Sequence, residues 1–218
     1  MKNFFCLLAF AAVLTACGGP EGEAVSASAA EEVATTAMVA STQYNVDPAA
    51  SSVNWEGTKL VGEGHTGTIP VTSGKLMVAN DKIVGGEFYM AIKDLTNTDM
   101  PAAEGGDKLV GHLLSADFFD AEKFPMAQFT VTNVQPVTGE DHTHDITGNL
   151  MLKGETRSVT LPATVSMDGG MLKASTPKFT INRKDWGMNY GSDDIEGLAK
   201  DKIISNDVGL ELTLVASK

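Results

Sequence analysis

Cysteine is nearly absent: two occur in 218 residues, and they cannot pair usefully. Cys6 lies in an apolar run that reads as removable, so Cys17 is left with no disulfide partner. Long apolar runs are missing as well. The best, Phe4 to Leu14, falls short of the roughly 20 residues a membrane-spanning helix needs. Basic charge is scarce, with 16 Lys and Arg against 28 Asp and Glu, a formal net charge of −12. So acidic a chain is a poor partner for nucleic acid or for an anionic membrane surface, and its charge serves mainly solubility. The sequence also has neither a Gly-x-Ser-x-Gly elbow nor a glycine-rich phosphate loop, which removes the usual signs of a hydrolase or nucleotide-using enzyme. Ser115, His112 and Asp117 can be assembled into a triad on paper, but without the elbow the chain reads as a non-enzyme with no catalytic residue and no cofactor.

What is present begins with an address. Lys2 gives a positive start, the Phe4 to Leu14 run follows, and Leu14-Thr15-Ala16-Cys17 resembles the lipobox of bacterial lipoproteins. That resemblance implies a signal peptide over 1–16, acyl chains such as palmitate on Cys17, and a stable membrane anchor, since several chains on one residue exceed what lasting attachment requires. It places the protein in the bacterial cell envelope, on the periplasmic or surface side of the outer membrane. Loss of Lys2 with the signal makes the mature chain one unit more negative. From residue 17 to 42 the composition is small residues and Glu, including Glu21, Glu23, Glu31 and Glu32, with no basic residue. Such a segment buries too little to offset its ordering entropy and reads as a flexible acidic linker.

Residues 43–218 are enough for one domain with a sizeable core. Period-two alternation dominates them: Val53 and Trp55; Phe88, Met90 and Ile92; Ala127, Phe129 and Val131; Ile146, Gly148, Leu150 and Leu152; Val159, Leu161, Ala163 and Val165; Val208, Leu210, Leu212, Leu214 and Ala216. Turn chemistry separates the runs at Ser73-Gly74, Asn80-Asp81, 137–140, Lys153-Gly154 and Asp168-Gly169-Gly170. The class is all-β, an antiparallel barrel or sandwich. Pro162, on an outward parity, marks an edge or a bulge.

One segment is helical in spacing, Asp107 to Leu114, with Asp107 as the expected N-cap, and it runs into Ser115-Ala116-Asp117-Phe118-Phe119-Asp120. Phe118 and Phe119 either plug one end of the barrel or, with the helix, form a lid over a cavity. A second anomaly is Arg183. Phe179, Ile181 and Arg183 share one strand face, so a guanidinium points where core belongs. It demands either an internal ion pair with Asp185, Asp193 or Asp194, or the polar head of a ligand.

The chain resembles the YceI-like family. The residues that carry the likeness are Tyr44-x-x-Asp47-Pro48-x-x-Ser51 leading to Trp55; Gly64-His65-x-Gly67; Gly85-Gly86-x-Phe88; His112-Leu113-x-Ser115-x-Asp117-Phe118-Phe119-Asp120 with Phe124-Pro125-x-Ala127-x-Phe129; Gly148-x-Leu150-x-Leu152-x-Gly154-x-Thr156; and Asn182-Arg183-x-Asp185-Trp186-Gly187-Met188. The resemblance implies an eight-stranded antiparallel lipocalin-like barrel with one short helix. It also implies a long amphiphile, a polyisoprenoid or fatty acyl derivative, held inside for storage or transport, and a homodimer. Trp55, Phe88, Met90, Phe129, Leu150, Phe179 and Ile181 would then line the cavity, with Arg183 and Trp186 toward its mouth and His65, Phe118 and Phe119 beside it. Met suits a pocket for a flexible chain. The alternative function is an interaction lipoprotein whose filled barrel presents loops such as Leu95 to Asp107 to an envelope partner. His142 and His144 sit in a turn with nothing to complete a tetrahedral metal site, so no metal is expected. His65 reads as a structural histidine or as a group that titrates in ligand release.

Overall fold

In the computed structural model, which describes residues 19–33, 40–138 and 141–218, the alternating segments pair as strands. Cys6, the lipobox, Cys17, Gly139 and Glu140 lie outside the described residues. In chain order the elements are β1 Glu23–Val25, β2 Ser28–Ala29, β3 Thr42–Val46, β4 Ser52–Lys59, β5 His65–Ala79, β6 Lys82–Ala91, β7 Thr96–Asn97, α1 Gly106–Leu114, β8 Met126–Pro136, β9 His144–Leu152, β10 Glu155–Asp168, β11 Met171–Ser175, β12 Phe179–Asn182 and β13 Ile204–Ser217.

Antiparallel pairing runs β4, β5, β6, β8, β9, β10, β11, β13, and β13 then returns to β4 through Leu210 opposite Trp55 and Leu212 opposite Val53. The result is a closed, eight-stranded lipocalin-like barrel with one α-helix among the described residues. Two staves are composite. β3 continues the position of β4, pairing β5 and the last residues of β13, and β12 continues that of β11 along β13. Inward residues such as Tyr44, Leu76, Phe88, Phe129, Val159, Leu172 and Leu214 are buried and form one continuous core. They leave a cavity of about 30 Å³, bordered by Phe88 and Phe129, with room for one or two waters. As it stands, the axis holds no long apolar chain.

The turns obey backbone rules. Asn80 and Asp81 both take positive φ, 51° and 58°, the geometry of a two-residue hairpin turn, and Lys153 and Gly154 repeat it at 49° and 80°. Ser73-Gly74 is not a turn. It lies inside β5, where the register shifts between Val71 and Ser73, and a Cβ on Gly74 would meet the Phe88 Cβ at 2.6 Å, so the glycine serves close approach between strands. Pro162 lies in the part of β10 that faces no strand on its second edge, since β2 pairs Arg157 and Ser158 while β11 begins opposite Thr164.

The linker expectation is corrected over Glu23–Ala29. β1 runs parallel to β12 and β2 pairs with β10, so this stretch fills the seam between those strands. Val25 and Ala27 pack against the core. Beyond it, the Glu31 N–H donates to Asn149 Oδ1 at 2.8 Å and the Asn149 amide donates back to the Glu31 carbonyl. Composition understated this segment because its ordering draws on unpaired strand edges in the barrel, which a local reading does not contain.

Candidate ligand-binding cleft

At the end of the barrel a cleft of about 530 Å³ opens between β4, the first residue of β5, the first residue of β13 and α1. Its apolar lining comes from Trp55, Leu109, Leu113, Phe118, Tyr190, Ile195 and Leu198, and its polar border from Lys59, Glu63, His65, His112, Asp201 and Lys202. The helix supplies Leu109 and Leu113 from its core-facing side. Its N-cap is Gly105, two residues before the expected Asp107, at φ 114° with no side-chain cap bond, and the helix begins at Gly106. Asp107 therefore sits in the first turn, where its charge still favours the helix dipole.

Phe118 is buried at the floor. Its ring lies 5.1 Å from His112 and 5.5 Å from Tyr190, and His112 meets Tyr190 edge-on at 4.7 Å. This aromatic cluster joins α1 to the 189–203 loop across the cleft. Phe119 is half-buried and packs on the core. Phe119 thus packs on the core, and Phe118 lines the floor of the cleft and does not cover it.

Arg183 is 2% exposed, but not in an ion pair. Its Nε donates to the Ser205 carbonyl at 2.9 Å, Nη2 to Ile204 at 3.1 Å, and Nη1 to Met188. The carboxylates expected to pair with it are engaged otherwise: Asp194 takes Lys184 Nζ at 2.7 Å and the Ser192 hydroxyl, and Asp193 takes the Asn206 amide. Burial pushes the guanidinium's pKa down, against the raising fields of Asp193 and Asp194. A planar fork with five donors satisfies several carbonyls at once, which is why arginine fits here and a point charge would not. The expected internal salt bridge is thus replaced by carbonyl capping that ties the start of β13 to the turn after β12.

His65 borders the cleft with Nδ1 2.9 Å from Asp99 Oδ2. Burial pushes the Asp99 carboxyl up, but the Thr66 N–H, His65 and the Asn97 amide outweigh it and hold the group below its usual range. Trp55 donates Nε1–H to the Thr96 carbonyl at 3.1 Å, fixing its ring as one wall. Trp186 is fully buried and donates to the Leu150 carbonyl at 3.0 Å, so it braces the core and does not stand at the mouth. Met90, Phe179 and Ile181 are core residues lining neither space, and Leu150 is at the edge of the same core. The structure therefore gathers Trp55, His65 and Phe118 at the cleft, Phe88 and Phe129 at the small inner cavity, and Arg183 beneath Phe118. Sequence reading missed Tyr190, Ile195 and Leu198, which lie in a loop without periodicity; the Leu109 and Leu113 spacing was the usable signal. The drawn triad does not assemble, because the Ser115 hydroxyl donates to the His112 backbone carbonyl while the imidazole meets Asp117.

A family model described as the YceI-like domain matches residues 44–216, which takes in nearly all of the barrel and every residue bordering the cleft. The chain belongs to the YceI-like family. A UPF0312 protein of Pseudomonas putida is 39% identical over 82 residues, 35% of this chain and 42% of that relative's length. Among solved structures, BcnA of Burkholderia cenocepacia aligns over 79% of this chain and 99% of its own with a TM-score of 0.61 at 21% identity. A polyisoprenoid binding domain from Saccharophagus degradans, implicated in plant cell wall breakdown, aligns over 80% of this chain and 97% of its own at 0.61 and 20% identity. At such identities the likeness shows the fold alone.

Proposed function

We propose that this YceI-like protein is an envelope lipoprotein, anchored through acyl chains on Cys17, that takes a long-chain amphiphile into its barrel mouth for storage or transport without a chemical step. The observation that carries the reading is the cleft: about 530 Å³, within the usual range of ligand sites, walled by aromatic and aliphatic side chains with charges only at its border. An apolar chain gains there by leaving water, while Lys59, His65 and Lys202 stand where a polar head would emerge. The binding named for the Saccharophagus neighbour supports a polyisoprenoid as the class of chain, and a fatty acyl derivative has the same physical character.

A second reading, a filled barrel presenting its loops to an envelope partner, is favoured by the 30 Å³ axis. Native mass spectrometry of the protein extracted from its own membrane in mild detergent separates the two. A bound lipid released in organic solvent, one per protomer, is expected. Protein that carries none, and that takes up no added polyisoprenoid phosphate or fatty acid, overturns the binding reading. The same spectrum counts protomers, testing the homodimer.

A further inference from the structure

Six large hydrophobic residues are exposed among those described; two of them, Tyr190 at 46% and Ile195 at 44%, line the cleft, and Leu60 at 49% and Val61 at 53% stand between Lys59 and Glu63, which line it too. They form one rim, because the Leu60 N–H donates to the Ile203 carbonyl at 2.9 Å and so brings the loop after β4 against the 189–203 loop. A clustered apolar rim around an apolar opening marks a contact surface, whereas Met171, at the other end of the barrel, is a lone exposed side chain.

The N-terminal strand says what covers the rim. A free linker from Cys17 to Thr42 would let the barrel roam about 28 Å from its anchor in any orientation. Pairing of β1 with β12 removes that freedom. The chain leaves the barrel at Pro20, which packs on Gly209, and Gly209 pairs with Glu56 of β4. Leu60 and Val61 follow Glu56 by four and five residues, about 13–17 Å along the strand direction. Cys17 precedes Pro20 by three residues, a reach of about 10 Å. Measured from Gly209 along β13, the far end of the barrel at Ser217 lies about 26 Å away. The tether from Pro20 to Cys17 is therefore short, and it starts beside Gly209, five residues from Ile204 at the cleft end of β13 and eight from Ser217 at the other.

We infer that the rim formed by Leu60, Val61, Tyr190 and Ile195 seats on the lipid bilayer, held there by the paired N-terminal strand, so that an amphiphile passes between membrane and cleft without crossing water. The inference rests on the reading of Cys17 as the acylated anchor. Lys59 and Lys202 beside Glu63 and Asp201 leave the border mixed in charge, which suits an uncharged phospholipid surface.

The test uses the full mature lipoprotein on vesicles of brominated phosphatidylcholine, whose bromines quench tryptophan within the bilayer. Trp55 and Trp186, at 7% and 0% exposure, are present in every variant, so their emission cancels in the comparison between variants. Val61→Trp is expected to lose about twofold in emission, as befits a side chain at the headgroup–acyl boundary, and Asp168→Trp at the far turn to lose none. Gly22→Val, whose added Cβ meets the Phe179 backbone at 2.7 Å, frees the strand and brings the Val61→Trp signal toward the Asp168→Trp level. Equal emission from the two tryptophan variants overturns the inference. So does a Val61→Trp shielded from aqueous acrylamide but not quenched by the lipid, which places a second copy on the rim. Mass analysis of the N-terminal fragment reads acylation separately; where Cys17 is bare, coupling it to a maleimide phospholipid repeats the quenching, so failed docking and failed acylation give different results.

Discussion

The guanidinium of Arg183 lies 5.9 Å from the centroid of the Phe118 ring, which puts the buried cation directly under the floor of the cleft. With three backbone carbonyls around its edge and a phenyl face above, the guanidinium is satisfied without a direct ion pair, while the fields of Asp193 and Asp194 favour its charge from a distance. Its role is to hold the junction of β12, the 183–188 turn and β13, and so to set the level of Phe118.

Arg183→Met keeps the length and removes the donors. Three carbonyls, of Met188, Ile204 and Ser205, lose their partner in a buried site. The expected loss is about 2–5 kcal/mol in urea unfolding, with Arg183→Lys recovering only part of it. A loss under about 0.5 kcal/mol, the range of an inert surface change, would contradict the capping role.

Gly67 stands where β5 passes under Trp55. A Cβ there would lie 1.9 Å from the Thr96 carbonyl and 2.5 Å from the indole ring. Gly67→Ala must displace β7 or the ring, and overpacking of this kind costs about 1–3 kcal/mol. A lowered melting temperature together with a shifted tryptophan emission is expected; wild-type values for both would mean that the cleft wall yields freely.

Acid should loosen the loop that lines one side of the cleft. Lys184 and the Ser192 hydroxyl lower the Asp194 carboxyl from its ordinary 3.8 to about 2. Because the folded value is depressed, the stabilisation is present above the unfolded value and is lost as pH falls through the folded one, between about pH 4 and about pH 2. Amide exchange at Ser192 to Ile195, corrected for intrinsic rates, is expected to speed up over that interval, and Asp194→Asn to abolish the change. Exchange that is flat with pH in both proteins would remove this tie.

The strands were legible because period-two alternation is local, whereas their closure into an eight-stranded barrel was carried by the family resemblance; the Asn80-Asp81 turn was legible because its side chains tolerate positive φ, and the Lys153-Gly154 turn because its glycine does. Arg183 was recognisable as anomalous from parity alone, but not its partners, since carbonyls are offered by every residue and leave no mark in a sequence. Ser73-Gly74 misled because a glycine needed for close approach to Phe88 carries the same letter as one needed for a turn. The half of the cleft made by Tyr190, Ile195 and Leu198 was illegible, as an irregular loop has no period to read.

Phe118 and Tyr190 face each other at 5.5 Å, one buried and one 46% exposed, and this difference separates folding from binding. Phe118→Ala removes a buried ring and its contacts with His112 and Arg183, so it is expected to cost about 3–5 kcal/mol of stability. Tyr190→Ala leaves the core untouched and is expected to cost under about 1 kcal/mol. It strips one wall from the cleft, however, and an aromatic contact of this kind is worth about 0.5–1.5 kcal/mol beyond its buried area, so affinity for a polyisoprenoid phosphate should fall about tenfold. Fluorescence titration on the two variants, alongside urea unfolding, checks the pair. If Tyr190→Ala binds as wild type does while remaining equally stable, the amphiphile does not lie between these rings, and the cleft loses its place as the binding site.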